Sequence, residues 1–77
     1  MSYDAALDVA SFKEAKEFGD SRITVGVFAY NNGTPKLQIS RENATQEGEW
    51  RFAKLGRMTK EEAKEILPIL MKAIENM

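Results

Sequence analysis

The sequence has 77 residues, a formal net charge of −1 at pH 7, and neither Cys nor His. This length allows one domain. The composition excludes a disulfide, a thiolate metal site and the imidazole that most often serves as a general base or metal ligand. Because so short a chain buries little surface alone, we expect a second copy of it to supply the missing stability.

The N-terminal segment has an ambiguous pattern. Residues 5–12 alternate as in a strand, whereas Phe12, Ala15 and Phe18 recur at helical spacing. We interpret residues 5–12 as a short strand or an irregular segment. The segment has no basic flank or long apolar core, so we expect no signal peptide. We expect a cytoplasmic protein, associated with the nucleoid if bacterial.

Three strands are predicted next, from alternation and from β-branched and aromatic residues. The first covers residues 22–30 and ends at the turn-forming sequence of residues 31–35, which contains Asn-Asn-Gly. The second covers residues 36–42. A polar loop over residues 43–48 leads to the third, at residues 49–55.

A long helix is predicted after the strands. Thr59 and Glu62 have the spacing of a capping box, which predicts a helix from there to about Asn76. Pro68 lies inside it and should kink it, unless two shorter helices follow each other. The apolar stripe is wider than one sheet face needs, which favours pairing of two helices across a two-fold axis. Its members are Ala63, Ile66, Leu67, Ile69, Leu70, Met71, Ala73, Ile74 and Met77.

One helix covers one face of one sheet, so the other face should be bare. Alternation separates Phe28 and Tyr30 from the face of Val25 and places them on the bare side. Lys36, Gln38 and Ser40 should lie beside them. Trp50 and Phe52 share a face, but alternation does not decide which one, because a bulge near Gly48 would exchange the two sides.

Charge is distributed unevenly along the chain. Residues 1–20 carry two basic and five acidic groups, net −3; residues 21–57 carry six and three, net +3; residues 58–77 carry three and four, net −1. Positive charge therefore coincides with the aromatic, strand-forming part of the chain. Cations that attract phosphates, together with rings that stack on bases, are what a single-stranded nucleic acid requires.

The sequence from Phe18 onward resembles the family of the transcriptional coactivator positive cofactor four and its bacterial and phage single-stranded-DNA-binding relatives. The order and spacing of four stretches carry the resemblance: residues 23–30, 36–42, 47–51 and 54–59. It implies an α+β, Whirly-like domain over residues 18–77, preceded by the segment 1–17. This domain would be a four-stranded curved antiparallel sheet followed by one long helix kinked near Pro68. Two copies would pair as a homodimer through their helices.

The resemblance also implies sequence-tolerant binding of single-stranded DNA in replication, recombination, repair or transcription. Tyr30 would match a base-stacking aromatic, Lys36 a hairpin lysine, and Arg41 the arginine that ends a strand. Asn43-Ala44 stands where coactivators carry an aromatic, and Trp50 is a candidate to replace it. The predicted nucleic-acid-binding residues are Arg22, Phe28, Tyr30, Lys36, Gln38, Arg41, Trp50, Arg51, Lys54 and Arg57.

Two other functions stay open. The net charge and the missing aromatic at Ala44 suit a protein–protein interaction module of the same fold. The purine-rich-element-binding repeat has a similar element order, which allows an RNA or purine-rich single-strand binder. We do not expect an enzyme, a cofactor, a metal or a small-molecule substrate, because the chain lacks His and Cys and its Ser and Thr residues have no adjacent general base of the usual kind.

Overall fold

The structure, a computed structural model, describes residues 4–77 and has an α+β fold. Its elements are a 3₁₀ turn (Ala5–Leu7), β1 (Asp8–Phe18), β2 (Ser21–Tyr30), β3 (Lys36–Ala44), β4 (Trp50–Ala53) and α1 (Lys60–Glu75). The strands form one antiparallel sheet in the order β1-β2-β3-β4. The predicted four-stranded antiparallel sheet with a single C-terminal helix is confirmed.

Strand β1 is longer and lies later than the strand predicted at residues 5–12. It pairs with β2 along its whole length, up to Phe18 opposite Ser21, with a register shift between Ala10 and Phe12. The boundary drawn between residues 17 and 18 thus falls inside β1. An extra residue at such a shift breaks the two-residue alternation, which made the sequence pattern hard to interpret.

Charged side chains on the helix side of β1 weaken its strand pattern further. Lys16 pairs with Ile23 and Glu14 with Val25, so both face α1. Their partners are on the helix: Lys16 Nζ lies 3.3 Å from Glu65 Oε2, and Lys72 Nζ lies 3.6 Å from Glu14 Oε1. Such half-exposed pairs contribute little stability. These ion pairs nevertheless let charged residues occupy helix-facing positions of the edge strand β1.

The helix begins as predicted. Thr59 Oγ1 accepts a hydrogen bond from the backbone N–H of Glu62 at 3.1 Å, and Glu62 Oε1 accepts from the backbone N–H of Thr59 at 2.9 Å. This reciprocal capping box satisfies two of the free N–H groups at the helix start. The helix continues through Pro68 as one element, so the alternative of two shorter helices is wrong. Among residues 4–77, no helix has the length and apolar character needed to cross a bilayer.

The core lies between α1 and the strands β1 and β2. Its buried members are Ile23, Val25, Val27, Ile66, Ile69 and Ala73, flanked by Phe12, Phe18, Ile39, Leu55, Met58 and Leu70. The three helix residues recur at the spacing of one helical face. Because α1 packs on one side of the sheet, the opposite side is left without a covering helix.

Candidate nucleic-acid interface

The sheet surface opposite α1 is called the open face here. Residues directly opposite each other in an antiparallel pair project to the same side, so the strand register defines this face. Its positions are Asp8, Ala10, Lys13, Ala15 and Glu17 on β1, Arg22, Thr24, Gly26, Phe28 and Tyr30 on β2, Lys36, Gln38, Ser40, Glu42 and Ala44 on β3, and Trp50 and Phe52 on β4.

One aromatic pair lies near the turn between β2 and β3. Phe28 is opposite Lys36, on the side predicted from alternation, and Tyr30 lies two residues further along the same strand. Both rings border a concavity of about 440 Å³ that Lys36 and Gln38 also line. The Tyr30 hydroxyl accepts a hydrogen bond from the backbone N–H of Asp4 at 2.8 Å, which fixes the outer end of that ring.

A second aromatic pair lies at the opposite end of the open face. The guanidinium carbon of Arg22 is 4.6 Å from the Trp50 ring centroid, so Trp50 is on the open face rather than in the core. Phe52, opposite Glu42, is 74% exposed, the most exposed large apolar side chain among residues 4–77. Phe52 was missing from the predicted set. Its shared alternation with Trp50 was the signal that could have included it.

Arg22 and Glu42 form the polar centre between these aromatic pairs. Arg22 donates from Nε and Nη2 to the two carboxylate oxygens of Glu42, at 2.9 and 3.1 Å. Thr24 Oγ1 donates to Glu42 Oε1 at 2.7 Å. The hydrogen bond from Arg22 is the main cause that lowers the pKa of Glu42 from its ordinary value, with that from Thr24 adding to it against desolvation. Arg22 is therefore held over Trp50 with its charge balanced by a carboxylate.

Arg41 lies on the other side of the sheet. It is opposite Ile23, and its side chain is mostly buried against α1 and the loop that precedes it. Its Nη1 donates to Glu62 Oε2 at 2.9 Å, and its Nε donates to the Leu55 carbonyl at 3.2 Å. The prediction of Arg41 as a binding residue required it to lie on the open face with the rings. The structure places it on the opposite side. Its contacts are those of a structural residue.

The remaining predicted basic residues lie outside the open face as well. Arg51 is opposite Asn43, which places it on the helix side, although its side chain is exposed. Lys54 and Arg57 are exposed in the loop between β4 and α1. Of the predicted residues, the open face brings together Arg22, Phe28, Tyr30, Lys36, Gln38 and Trp50.

Charges on the open face are balanced rather than positive. The basic members are Lys13, Arg22 and Lys36, and the acidic members are Asp8, Glu17 and Glu42. The excess positive charge of residues 21–57 is thus carried largely by side chains off this face. Besides these charges the face offers aromatic rings, an amide and hydroxyls to a ligand, groups that stack and form hydrogen bonds.

No protein-family model matches the chain, and neither does any curated protein or solved structure. The resemblance to positive cofactor four therefore stays a prediction.

Proposed function

We propose that the chain binds single-stranded DNA along the open face without reading its sequence. The observation that carries this proposal is the placement of two aromatic pairs, Phe28 with Tyr30 and Trp50 with Phe52, at opposite ends of a sheet surface that no helix covers. Stacking on aromatic side chains is sequence-tolerant, because every base has a π face, and contributes about 1–3 kcal/mol per base.

The separation of the two aromatic pairs suits a strand of several nucleotides. Phe28 is opposite Lys36 and Phe52 is opposite Glu42, so the pairs are six residues of β3 apart. At about 3.4 Å per residue, this distance is roughly 20 Å. A strand that runs from the pair on β2 to the pair on β4 would pass over Gln38 and Ser40 of β3, which offer hydrogen-bonding groups between the stacking sites.

Electrostatic attraction has a smaller part in this proposal than in most single-strand binders. Glu42 balances the charge of Arg22, which leaves Lys36, beside the first aromatic pair, and Lys13, opposite Gly26, as the other cations of the open face. Arg51, Lys54 and Arg57 are exposed beyond the open face and can attract phosphates that leave it. We therefore expect binding to weaken with salt, but with a shallow slope, because few phosphates are neutralised.

The balanced charge of the open face also favours a second candidate, a protein–protein interaction module of the same fold. Such a module would use the exposed rings as apolar anchors, and aromatic residues are enriched at protein interfaces. RNA is the other ligand with the same stacking chemistry.

A single-strand binder acts where single strands are exposed in the cell. The proposal therefore includes a cytoplasmic location, at the nucleoid if the protein is bacterial.

A homodimer is the second part of the proposal. The outer side of α1 carries Ala63, Leu67, Met71 and Ile74 in one line, called the outer stripe here. Leu67, Met71 and Ile74 are 57%, 60% and 63% exposed. The α1 helix of a partner chain related by a two-fold axis would bury this stripe. The resemblance implies in addition that the helix is kinked at Pro68 and that the sheet is curved.

A titration with oligo-dT tests DNA binding. Trp50 is the only tryptophan, so its emission reports on the open face directly, while the anisotropy of a labelled oligonucleotide gives the affinity. We expect quenching of Trp50. Phe52→Leu keeps an apolar side chain but removes the ring, and should weaken binding roughly 5- to 150-fold. Phe52→Tyr keeps the ring and should bind like the wild type.

The same titration separates the candidate functions. Tighter binding of oligo-U than of oligo-dT would identify RNA as the ligand. Flat titrations with both, at low salt, would reject single-strand binding and leave the protein–protein module.

Light scattering after size exclusion tests the dimer. The wild type should have twice the chain mass of 8.7 kDa. Leu67→Glu and Ile74→Glu should shift it to the monomer, because each puts a charge into the outer stripe. Lys54→Gln makes the same one-unit change in charge in the loop before α1 and should stay dimeric. A monomeric wild type at high concentration would reject the pairing.

A further inference from the structure

Gly26 is buried although it lies on the open face, where no helix covers it. The side chain over it is Phe28, two residues along the same strand. A Cβ atom built on Gly26 would lie 2.5 Å from Phe28 Cε2 and 2.9 Å from Phe28 Cζ, well inside contact distance. The ring of Phe28 therefore leans along β2 and occupies the space that a side chain at position 26 would need.

The backbone gives no other reason for a glycine there. Gly19, Gly48 and Gly56 have positive φ, a conformation that favours glycine, whereas Gly26 does not. Glycine in the middle of a strand weakens the strand, since it loses more conformational freedom than other residues and has no side chain to pack. Position 26 is thus a glycine because the Phe28 ring lies where a Cβ atom would be.

We propose that Gly26 is a positioning residue for Phe28. Side chains on a sheet ordinarily stand roughly perpendicular to it. The space above Gly26 instead lets the ring recline on the sheet, so that a ring face is turned outward beside Lys36 and Gln38. A base stacks on that face, and it meets a ring whose orientation is set before binding, which reduces the entropy lost on association.

This inference rests on the proposed function, because it states how one stacking ring of that site is oriented. It also predicts that a substitution at Gly26 weakens DNA binding without lowering the stability of the fold. Since the atoms nearest to an added Cβ are the far end of a side chain, the ring can swing away without moving the backbone. Gly26→Ala should therefore leave the fold intact, with thermal stability equal to or above that of the wild type, because alanine is less flexible in the unfolded chain.

A double-mutant cycle on oligo-dT binding tests the inference. The four proteins are the wild type, Gly26→Ala, Phe28→Leu and the double variant. We expect Phe28→Leu to weaken binding roughly 5- to 150-fold and Gly26→Ala to weaken it by at least about 5-fold. In the Phe28→Leu background, Gly26→Ala should cause no further loss, since the two residues act as one unit. Equal losses in both backgrounds would overturn the proposal.

Proton NMR gives a readout that does not depend on binding. The Phe28 ring should shift the Hα resonances of Gly26 upfield in the wild type, and Phe28→Leu should remove that shift. An unshifted Hα pair in the wild type would overturn the inference even if oligo-dT binds. Conversely, a shifted pair in a protein that binds no single strand would reject the proposed function while leaving the ring position correct.

Discussion

Arg41 on β3 donates two hydrogen bonds to the carboxylate of Glu62 on α1, from Nη1 at 2.9 Å and from Nη2 at 3.2 Å. The same carboxylate accepts from the backbone N–H of Thr59, so one side chain both caps the helix and joins it to the sheet. Arg41 also donates to the Leu55 and Arg57 carbonyls, at 3.2 and 3.4 Å. The loop before the helix is thereby held against the sheet.

Replacing Arg41 by Gln should destabilise the domain. The change leaves the Glu62 carboxylate and the Leu55 carbonyl without a donor in a partly buried place, and groups left unsatisfied in this way are costly. We expect the thermal midpoint to fall by roughly 5–15 °C. Arg57→Gln removes the same charge from an exposed side chain and should change the midpoint by only about 0–3 °C. Circular dichroism melts check both, and equal effects would contradict the structural role of Arg41.

Acid should weaken the same contact. The hydrogen bond from Arg41, followed by that from the Thr59 backbone, lowers the pKa of Glu62 from 4.5 to about 2. A carboxyl with a lower pKa in the folded than in the unfolded chain stabilises the fold fully above its unfolded value. It loses that contribution as the pH falls toward its folded value. Wild-type stability should therefore drop between about pH 4.5 and pH 2.

Urea unfolding over that pH range, on the wild type and on Glu62→Gln, measures the contribution. Glu62→Gln should be less stable than the wild type at pH 7, and the difference should shrink as the pH falls. Glu61→Gln, on the exposed neighbour, should follow the wild-type curve. A constant difference between wild type and Glu62→Gln would contradict the assignment.

Glu42→Gln should change nucleic-acid binding in a way that depends on salt. It removes a negative charge from the open face and frees the Arg22 guanidinium from its carboxylate partner. If one more phosphate is then neutralised, the slope of log affinity against log salt should steepen by about 0.7. Binding at low salt should be tighter than in the wild type. Anisotropy titrations at several KCl concentrations measure both effects, with Glu75→Gln, at the end of α1, as the charge-matched control.

Pro68→Ala should stabilise the domain. Pro68 is exposed in the middle of α1 and has no N–H to donate to the Lys64 carbonyl. Proline inside a helix is about 3 kcal/mol less favourable than alanine, so we expect a gain of about 1–3 kcal/mol in urea unfolding. Lys64→Ala, on the preceding turn, should change stability by less than about 0.5 kcal/mol. A loss of stability in Pro68→Ala would mean that packing of the helix requires the proline.

Local patterns were sufficient for the features that neighbouring residues decide. The capping box of Thr59 and Glu62 predicted the helix start, because both partners lie within one turn. Alternation predicted the side on which Phe28 and Tyr30 lie, since successive side chains in a strand point to opposite faces. The bare sheet face followed from the number of helices.

Contacts between distant parts of the chain decided the rest. Trp50 is on the open face because the β3–β4 register places it opposite Ala44, and its side could not be known before that register. Glu14 and Lys16 belong to a strand because β1 pairs with β2 along its length, and charges on α1 complement them on the helix side. Arg41 lies on the helix side because it alternates in step with Leu37 and Ile39, but its partner Glu62, far along the chain, was decided by the packing of α1 on the sheet. A sequence pattern records the period of a strand or helix, whereas the partner of a side chain depends on which elements pack together.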